Sequence, residues 1–497
     1  MTSSRLSGVL LHVTSLPGGE GIGDLGAGAR AWLEWVHRSG CGLWQFLPLG
    51  PAGPGWSPYQ SPSTFAGNPL LTSLKDLVER GWMTADEVAG APPNTSNVDF
   101  STVHEFKNRA LHAAAARWRS RGRPERDAFE RWCDLQRTWL EDFTLFMALK
   151  DSHSGAPWTE WGEGLARRQP EALARARRDL ATMVEDHALQ QYWFHLQWTT
   201  LRDQARQLDV RLVGDLPIYV AFDSADVWAH PNLFQLDENG QPTVIAGVPP
   251  DYFSETGQLW SNPIYDWERH SQDGYRWWIE RIRHIVGQVD VVRIDHFRGL
   301  EAYWEVPAGS ETAATGRWVP GPGGDLLEAV RTALGGLPFI AEDLGVITPG
   351  VPELLDRFDL PGMKVLQFGL EGGEEDGELP SEYPERCVAY TGTHDNDTSR
   401  GWFESANEET RAWVRRALRA DDHEVVWKMI ESIWASPAAW TLAPLQDLLA
   451  LGGEARMNYP GRGTGNWTWR AGADMIRDDV AESLDALNEA HGRLRQS

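Results

Sequence analysis

Short apolar runs recur along the chain, each bounded by glycine or proline and most separated by stretches of helical periodicity. They lie over 8–13, 43–49, 210–220, 289–295, 338–344, 363–370, 387–391 and 440–445. Many are apolar nearly throughout, as a strand covered on both faces must be. Helical patterns occupy 27–38, 273–286, 325–334 and, with a break, 408–433. Parallel strands need long crossovers between them, so eight such runs alternating with helices predict an α/β fold, a (β/α)8 TIM barrel. A doubly wound open sheet satisfies the same alternation and stands as the alternative. With 497 residues the chain is longer than a bare barrel, so one catalytic unit over 1–497 is expected to carry insertions.

Two intervals break the alternation. The first, 72–208, reads as a mostly helical subdomain. Within it Phe129, Trp132, Trp139, Leu140, Phe143 and Phe146 recur at helical spacing behind Asp127, a candidate cap with Glu130 three residues on. The second, 223–265, is rich in proline, glycine, asparagine and aromatics and reads as long loops. Loops after barrel strands build active sites, which draws attention to this interval.

Composition excludes several classes of function. The chain has 46 Lys+Arg against 71 Asp+Glu, a formal net charge of −25, which argues against binding nucleic acid or an acidic membrane surface. Its three cysteines, Cys41, Cys133 and Cys387, form no CxxC and suggest a reducing compartment. No apolar run reaches the roughly 18 residues of a membrane span, and 8–13 is too short for a signal-peptide core. A cytoplasmic protein is expected. Tryptophan is over-represented, with 26 against 16 Phe and 10 Tyr. Core packing accounts for most of it, but indole faces also stack on the C–H faces of sugar rings.

One motif misleads. Gly21-Ile22-Gly23-Asp24-Leu25-Gly26 matches G-x-G-x-x-G, yet residues 14–20 separate it from its strand and no acidic strand end follows at the required distance. A glycine-rich barrel loop is the better reading. Zinc-protease, P-loop and α/β-hydrolase motifs do not occur, and no metal-ligand cluster is evident.

Three strand ends carry carboxylates. In Val291-Val292-Arg293-Ile294-Asp295-His296, alternation puts Arg293 and Asp295 on one face, a cation beside a carboxylate kept ionised as a nucleophile requires. A structural ion pair has the same spacing. In Phe339-Ile340-Ala341-Glu342, an apolar neighbourhood would raise the glutamate toward a general acid, though an ordinary rim glutamate looks alike. In Thr391-Gly392-Thr393-His394-Asp395-Asn396, a glycine precedes a His-Asp pair. Together they make an acidic site on one rim. Two carboxylates about 5 Å apart are what a retaining glycoside mechanism uses.

With these segments in place, the chain resembles the 4-alpha-glucanotransferases called amylomaltases or disproportionating enzymes, glycoside hydrolase family 77. The resemblance rests on Ser15-Leu16-Pro17 with 21–26, Leu47-Pro48-Leu49-Gly50-Pro51, Ser57-Pro58-Tyr59-Gln60 and Phe65-Ala66-Gly67-Asn68-Pro69. It continues through 214–220, Pro249-Pro250-Asp251-Tyr252-Phe253-Ser254 with Gly257-Gln258, then 293–298, 341–345, 393–396, Arg456-Met457-Asn458 and Gly465-Asn466-Trp467, in order along nearly the whole chain.

The resemblance implies Asp295 as nucleophile, Glu342 as general acid/base and Asp395 as the group that grips sugar hydroxyls and supports the oxocarbenium-like transition state. Arg293 would position Asp295. Tyr59, Asp215, His296 and His394 would line the reacting sugar subsite, and Ser57, Asp251, Gln258, Trp260 and Asn466 would bind substrate. By its own aromatics, polar residues and glycine, the stretch 249–260 reads as a lid with Gly257 as hinge, excluding water so that a sugar hydroxyl takes the intermediate; a static loop would carry the same residues. The implied partners are α-1,4-glucans and maltooligosaccharides, with glucose as acceptor. No cofactor is implied, because the covalent intermediate conserves the donor bond's energy. An α-glucan hydrolase, or a catalytically silent glucan-binding protein, would share much of this pattern. The chain departs from the family at Ser261, where Trp-Gly-Asn-Pro is usual, at Pro54 and Trp56, where Tyr and Asp are common, and at Val13, commonly Pro.

Overall fold

The computed structural model describes residues 5–250 and 255–495. Among these, the apolar runs give eight parallel strands: β1 (Leu6–Leu10), β2 (Leu43–Gln45), β3 (Arg211–Pro217), β4 (Val291–Asp295), β5 (Phe339–Ala341), β6 (Gly362–Val365), β7 (Cys387–Tyr390) and β8 (Trp440–Pro444). Their order is β6-β7-β8-β1-β2-β3-β4-β5. The first strand pairs with the last, in register from Leu6 on Trp440 to Leu10 on Pro444. A doubly wound sheet does not join those two strands; a barrel does. The seam between β5 and β6 is held by Ala341 N–H on the Pro361 carbonyl at 2.9 Å and Met363 N–H on the Asp343 carboxylate at 2.7 Å.

The strands are shorter than the runs that announce them. The run 43–49 leaves the ladder after Gln45, ahead of Pro48, which has no N–H to donate. The run 363–370 is strand only to Val365 and continues as the helix Leu366–Glu371, since a buried helical turn is as apolar as a buried strand. The barrel interior is filled by Leu6, Leu43, Val213, Val291, Ile340, Met363 and Val388 with Tyr390 and Trp440. Tryptophan is chiefly packing: Trp32, Trp35, Trp44, Trp193, Trp228, Trp278, Trp434 and Trp440 are fully buried.

The interval 72–208 contains the long helices Phe100–Trp118, Arg123–Ser152 and Ala181–Gln207. They gather around a second core that includes Trp82, Trp118, Phe129, Trp132, Tyr192 and Trp193. Asp127 does not cap: the helix begins at Arg123, with Pro124 in its first turn and Gly122 before it, which leaves Asp127 inside. The interval 223–265 is not only loop. Its strands Val244–Val248 and Gln258–Pro263 join Ala302–Pro307 and Arg317–Pro320 in a four-stranded antiparallel sheet. Half of that sheet comes from beyond β4, so a local window hides the pairing.

The glycine-rich loop lies after β1 and before the helix Ala27–Arg38. Gly18, Gly19 and Gly21 are left-handed, with φ of 87°, 71° and 77°, and a Cβ on Gly23 would collide with the Val13 carbonyl. Its glycines answer to chain packing. Among the described residues no helix is long and apolar enough to cross a membrane.

Candidate active site

Register places the acidic residues. β3 and β4 pair with Asp215 beside Arg293 and Pro217 beside Asp295, while β4 and β5 pair Arg293 with Ile340 and Ile294 with Ala341. The C-terminal ends of three neighbouring strands therefore converge on one mouth. Arg293 Nη1 donates to both Asp215 oxygens at 2.8 and 2.9 Å and to Asp295 Oδ1 at 2.9 Å. The Asp215 and Arg293 side chains are buried, whereas Asp295 keeps 26% of its side chain exposed. One buried guanidinium thus serves two carboxylates, and only the outer one can meet a ligand.

Past β5, Glu342 accepts the His296 N–H on Oε2 at 2.7 Å and the Leu344 N–H on Oε1 at 2.8 Å. The first bond depends on a strained turn, for His296 has a left-handed φ of 52°. Glu342 is therefore held against the residue that directly follows Asp295. Burial, reinforced by Asp215, Glu342 and Asp395 against the pull of Arg293, pushes Asp295 up to about 8. Burial raises Glu342 as well, against Arg293 and its two backbone donors. Buried carboxyls that oppose each other's ionisation share a proton. The guanidinium on Asp295 Oδ1 puts the charge there and leaves the proton to Glu342.

The third carboxylate comes from the loop after β7. Tyr59 donates its hydroxyl to Asp215 Oδ2 at 2.8 Å and meets His394 Nε2 at 2.7 Å; the Tyr59 and His394 rings stack at 5.4 Å. His394 Nε2 lies 3.3 Å from Asp395 Oδ2. A continuous polar chain thus runs from Asp295 through Arg293, Asp215, Tyr59 and His394 to Asp395. Burial holds Tyr59 well above its ordinary value, so it keeps its proton, and lowers His394. His296 is driven down to about 3 by burial and by Arg298, so its ring is neutral.

Of the remaining expected residues, Trp260 stands edge-on to the His296 ring at 4.7 Å, and its Nε1 donates to Gln258 at 3.2 Å. Ser57 Oγ accepts the Tyr59 N–H at 3.2 Å and shapes the turn that presents the phenol. Asn466 is buried, with its amide on its own loop: Oδ1 accepts from Tyr459 N–H at 3.0 Å and Nδ2 donates to Arg462 O at 2.8 Å. Asp251 lies outside the described residues with 252–254 of the expected lid; the rest of the lid includes Gly257, left-handed at φ 65°, and the start of the strand Gln258–Pro263.

Three further residues belong to the site. Asn458 Nδ2 donates to Asp395 Oδ1 at 2.6 Å, and Arg456 Nη2 to the Asp395 carbonyl at 2.7 Å. His12, just past β1, is buried and down to about 3, through burial and then its neighbour His394. Their only sequence signal was membership of a matching or apolar segment, because each acts across more than 60 positions of chain.

A family profile described as 4-alpha-glucanotransferase matches residues 11–474. The chain is 48% identical over 503 residues to a 4-alpha-glucanotransferase of Thermus thermophilus, covering 99% of this chain and 100% of that one. It is 45% identical over 499 residues to a 4-alpha-glucanotransferase of Synechocystis, with 99% of each covered. In three dimensions it is similar to the amylomaltase of Streptococcus agalactiae solved in complex with acarbose, with a TM-score of 0.95, 36% identity, and 98% and 99% of the two chains covered.

Proposed function

The chain belongs to the 4-alpha-glucanotransferase family, glycoside hydrolase family 77, and from that premise we propose that Asp295, Glu342 and Asp395 carry out a retaining transfer of α-1,4-glucan segments. The observation that carries the assignment is the contact of Arg293 Nη1 with Asp295 Oδ1, which charges Asp295 while leaving its second oxygen to a ligand. In the first step Glu342 gives its proton to the glycosidic oxygen as Asp295 Oδ2 attacks the anomeric carbon, forming a glycosyl ester and releasing the shortened glucan. In the second, the Glu342 carboxylate takes the proton from an acceptor 4-hydroxyl, which displaces Asp295. Two inversions return the α-linkage, and no bond energy is lost to water.

Asp215 keeps Arg293 from being claimed by Asp295 alone, so the nucleophile stays basic enough to attack. Tyr59 and His394 offer a flat polar wall, and Trp260 with Gln258 a rim, for a sugar ring and its hydroxyls. The three cysteines are free, which suits a reducing, cytoplasmic compartment, and family membership supports maltooligosaccharides as substrates with glucose as an acceptor.

Incubation with maltotriose tests this. A ladder of glucose and longer maltooligosaccharides at constant reducing-end count is expected; a rising count with only shorter products would make the enzyme a hydrolase. Activity should also fall as rising pH strips the proton from Glu342, whose carboxyl burial holds above the ordinary glutamate value. Long glucans as sole substrate separate cyclic from linear products.

A further inference from the structure

We infer that Asn458 is a positioning residue that aims the Asp395 carboxylate at the reacting sugar without cancelling its charge. This rests on the role given to Asp395 above. Asn458 Nδ2 donates to Asp395 Oδ1 at 2.6 Å. On the other oxygen, His394 Nε2 approaches to 3.3 Å. Because Tyr59 gives its proton to Asp215, its oxygen accepts from His394, which fixes the proton of His394 on Nε2 and turns that N–H toward Asp395 as well. Both donors to Asp395 are therefore neutral groups, a carboxamide and an imidazole.

The contrast with Asp295 is chemical. A guanidinium on Asp295 stabilises the charge of a nucleophile that must leave again as a carboxylate. The transition state at the sugar ring is oxocarbenium-like, and positive charge grows there as the bond breaks. A carboxylate that meets that charge works best fixed in direction and not already paired with a cation. Arg456 brings a cation close, yet its Nη2 is on the main-chain oxygen of Asp395 and its Nε on the Asn458 carbonyl, 2.7 Å each. It locks the backbones of the two residues together and leaves carboxylate orientation to the Asn458 side chain.

The loop that carries Asn458 is built for precision. Trp467 N–H bonds the Met457 carbonyl at 2.7 Å, and Asn466 ties Tyr459 to Arg462 from within. Its far end sets the Trp467 ring against Tyr59 at 5.7 Å and His394 at 6.1 Å. The same loop thus braces both sides of the Asp395 carboxylate.

The test is maltotriose disproportionation by Asn458→Ala and Asn458→Asp, with Tm measured alongside. Asn458→Ala should lower kcat about 10- to 100-fold with KM and Tm little changed, the size of a misplaced catalytic group. Asn458→Asp should be poor at neutral pH, where two carboxylates face each other, and recover relative to the native enzyme as the introduced carboxyl is protonated and becomes a donor. A raised KM at unchanged kcat would mean direct sugar binding, and a lower Tm at unchanged kcat a structural role; either overturns the proposal. Asp395→Asn in the same assay separates the two readings, since full activity there would remove the role of Asp395 itself.

Discussion

At the barrel mouth a buried Arg293 binds two aspartates; at the joint between the glycine-rich loop and the helical insertion a buried Lys107 binds two acids of its own. Lys107 Nζ lies 3.2 Å from Glu20 and 3.9 Å from Asp24, and donates to the carbonyls of Leu70 at 2.9 Å and Thr72 at 3.0 Å. Burial raises a carboxyl in each cluster, Asp295 to about 8 and Asp24 to about 7. A raised carboxyl thus reports burial, and by itself does not identify chemistry. Access separates the two: Asp295 keeps 26% of its side chain exposed, Glu20 and Asp24 only 1% and 4%. The cations differ too. Arg293 meets both aspartates through one nitrogen, Nη1, and leaves one Asp295 oxygen free, whereas the Lys107 ammonium is a point charge fully enclosed by acceptors.

Their backbones differ in the same sense. In the loop that carries Glu20 and Asp24, the left-handed positions are the glycines 18, 19 and 21. Around the mouth the left-handed residues include Trp56, Ser261, His296 and Trp467, with φ of 60°, 61°, 52° and 67°. In these two regions the strain falls on side-chain-bearing residues at the mouth and on glycines in the packing loop, although left-handed non-glycine residues such as Arg168, Asp209 and Arg419 also occur elsewhere.

The largest effect expected is on chemistry. Asp295→Asn should reduce transfer by at least about 10³-fold and Glu342→Gln by roughly 10²- to 10⁴-fold, with Tm unchanged or higher because each removes a buried acid. Steady-state kinetics with a thermal melt checks this, and substantial activity in Asp295→Asn would sink the nucleophile. Lys107→Met should do the reverse. Two buried acids lose their cation, which is expected to destabilise the fold by about 3–5 kcal/mol, while kcat of the folded protein stays near native. Urea unfolding and kinetics on one sample decide it; a fall in kcat at full foldedness would make Lys107 part of the catalytic apparatus.

Part of the catalytic cluster was legible in sequence because Asp295 and Glu342 sit at or just past a strand end and Asp395 follows a glycine beside His394. Arg293 and Asp295 share a face by alternation alone, and Glu342 follows an apolar strand. The Lys107 cluster was not legible, since Glu20 and Lys107 are brought together only by docking a helix of the insertion onto a barrel loop. The same holds for Asn458 on Asp395. The eight strands were readable as apolar runs, but most of their ends were not, because several runs continue past the ladder as loop or helix, as 363–370 does after Val365. The antiparallel sheet escaped notice because two of its four strands come from beyond β4.

Asp24 gives a smaller and pH-dependent effect. The unfolded carboxyl loses its proton near 3.8, while the folded one holds it to about 7, through burial and Glu20 against the pull of Lys107. Between those values the folded state binds more protons, so stability falls as pH rises, by up to about 1.4 kcal/mol per pH unit. Asp24→Asn should flatten that fall while preserving the acceptor for the Gly26 N–H, 2.9 Å away. Asp295 adds a slope of the same sign, so the quantity to compare is the difference between native and variant urea midpoints from pH 4.5 to 7.5. Parallel curves would assign the whole slope to the catalytic cluster.

The smallest effect tests the contrast in strain. Ser261 is exposed and left-handed at φ 61°, next to Trp260 but without a side chain facing the site. Ser261→Gly should relieve the backbone and stabilise by about 0.5–1 kcal/mol, less the extra freedom glycine gains in the unfolded chain. Transfer activity should stay native, because the strand that carries Trp260 keeps its path. His296→Gly should relieve similar strain yet lower activity, since it removes the ring against Trp260 and loosens the N–H that holds Glu342. If both substitutions stabilise equally and neither alters kcat, the left-handed residues at the mouth are tolerated rather than used, and the two regions differ in access alone.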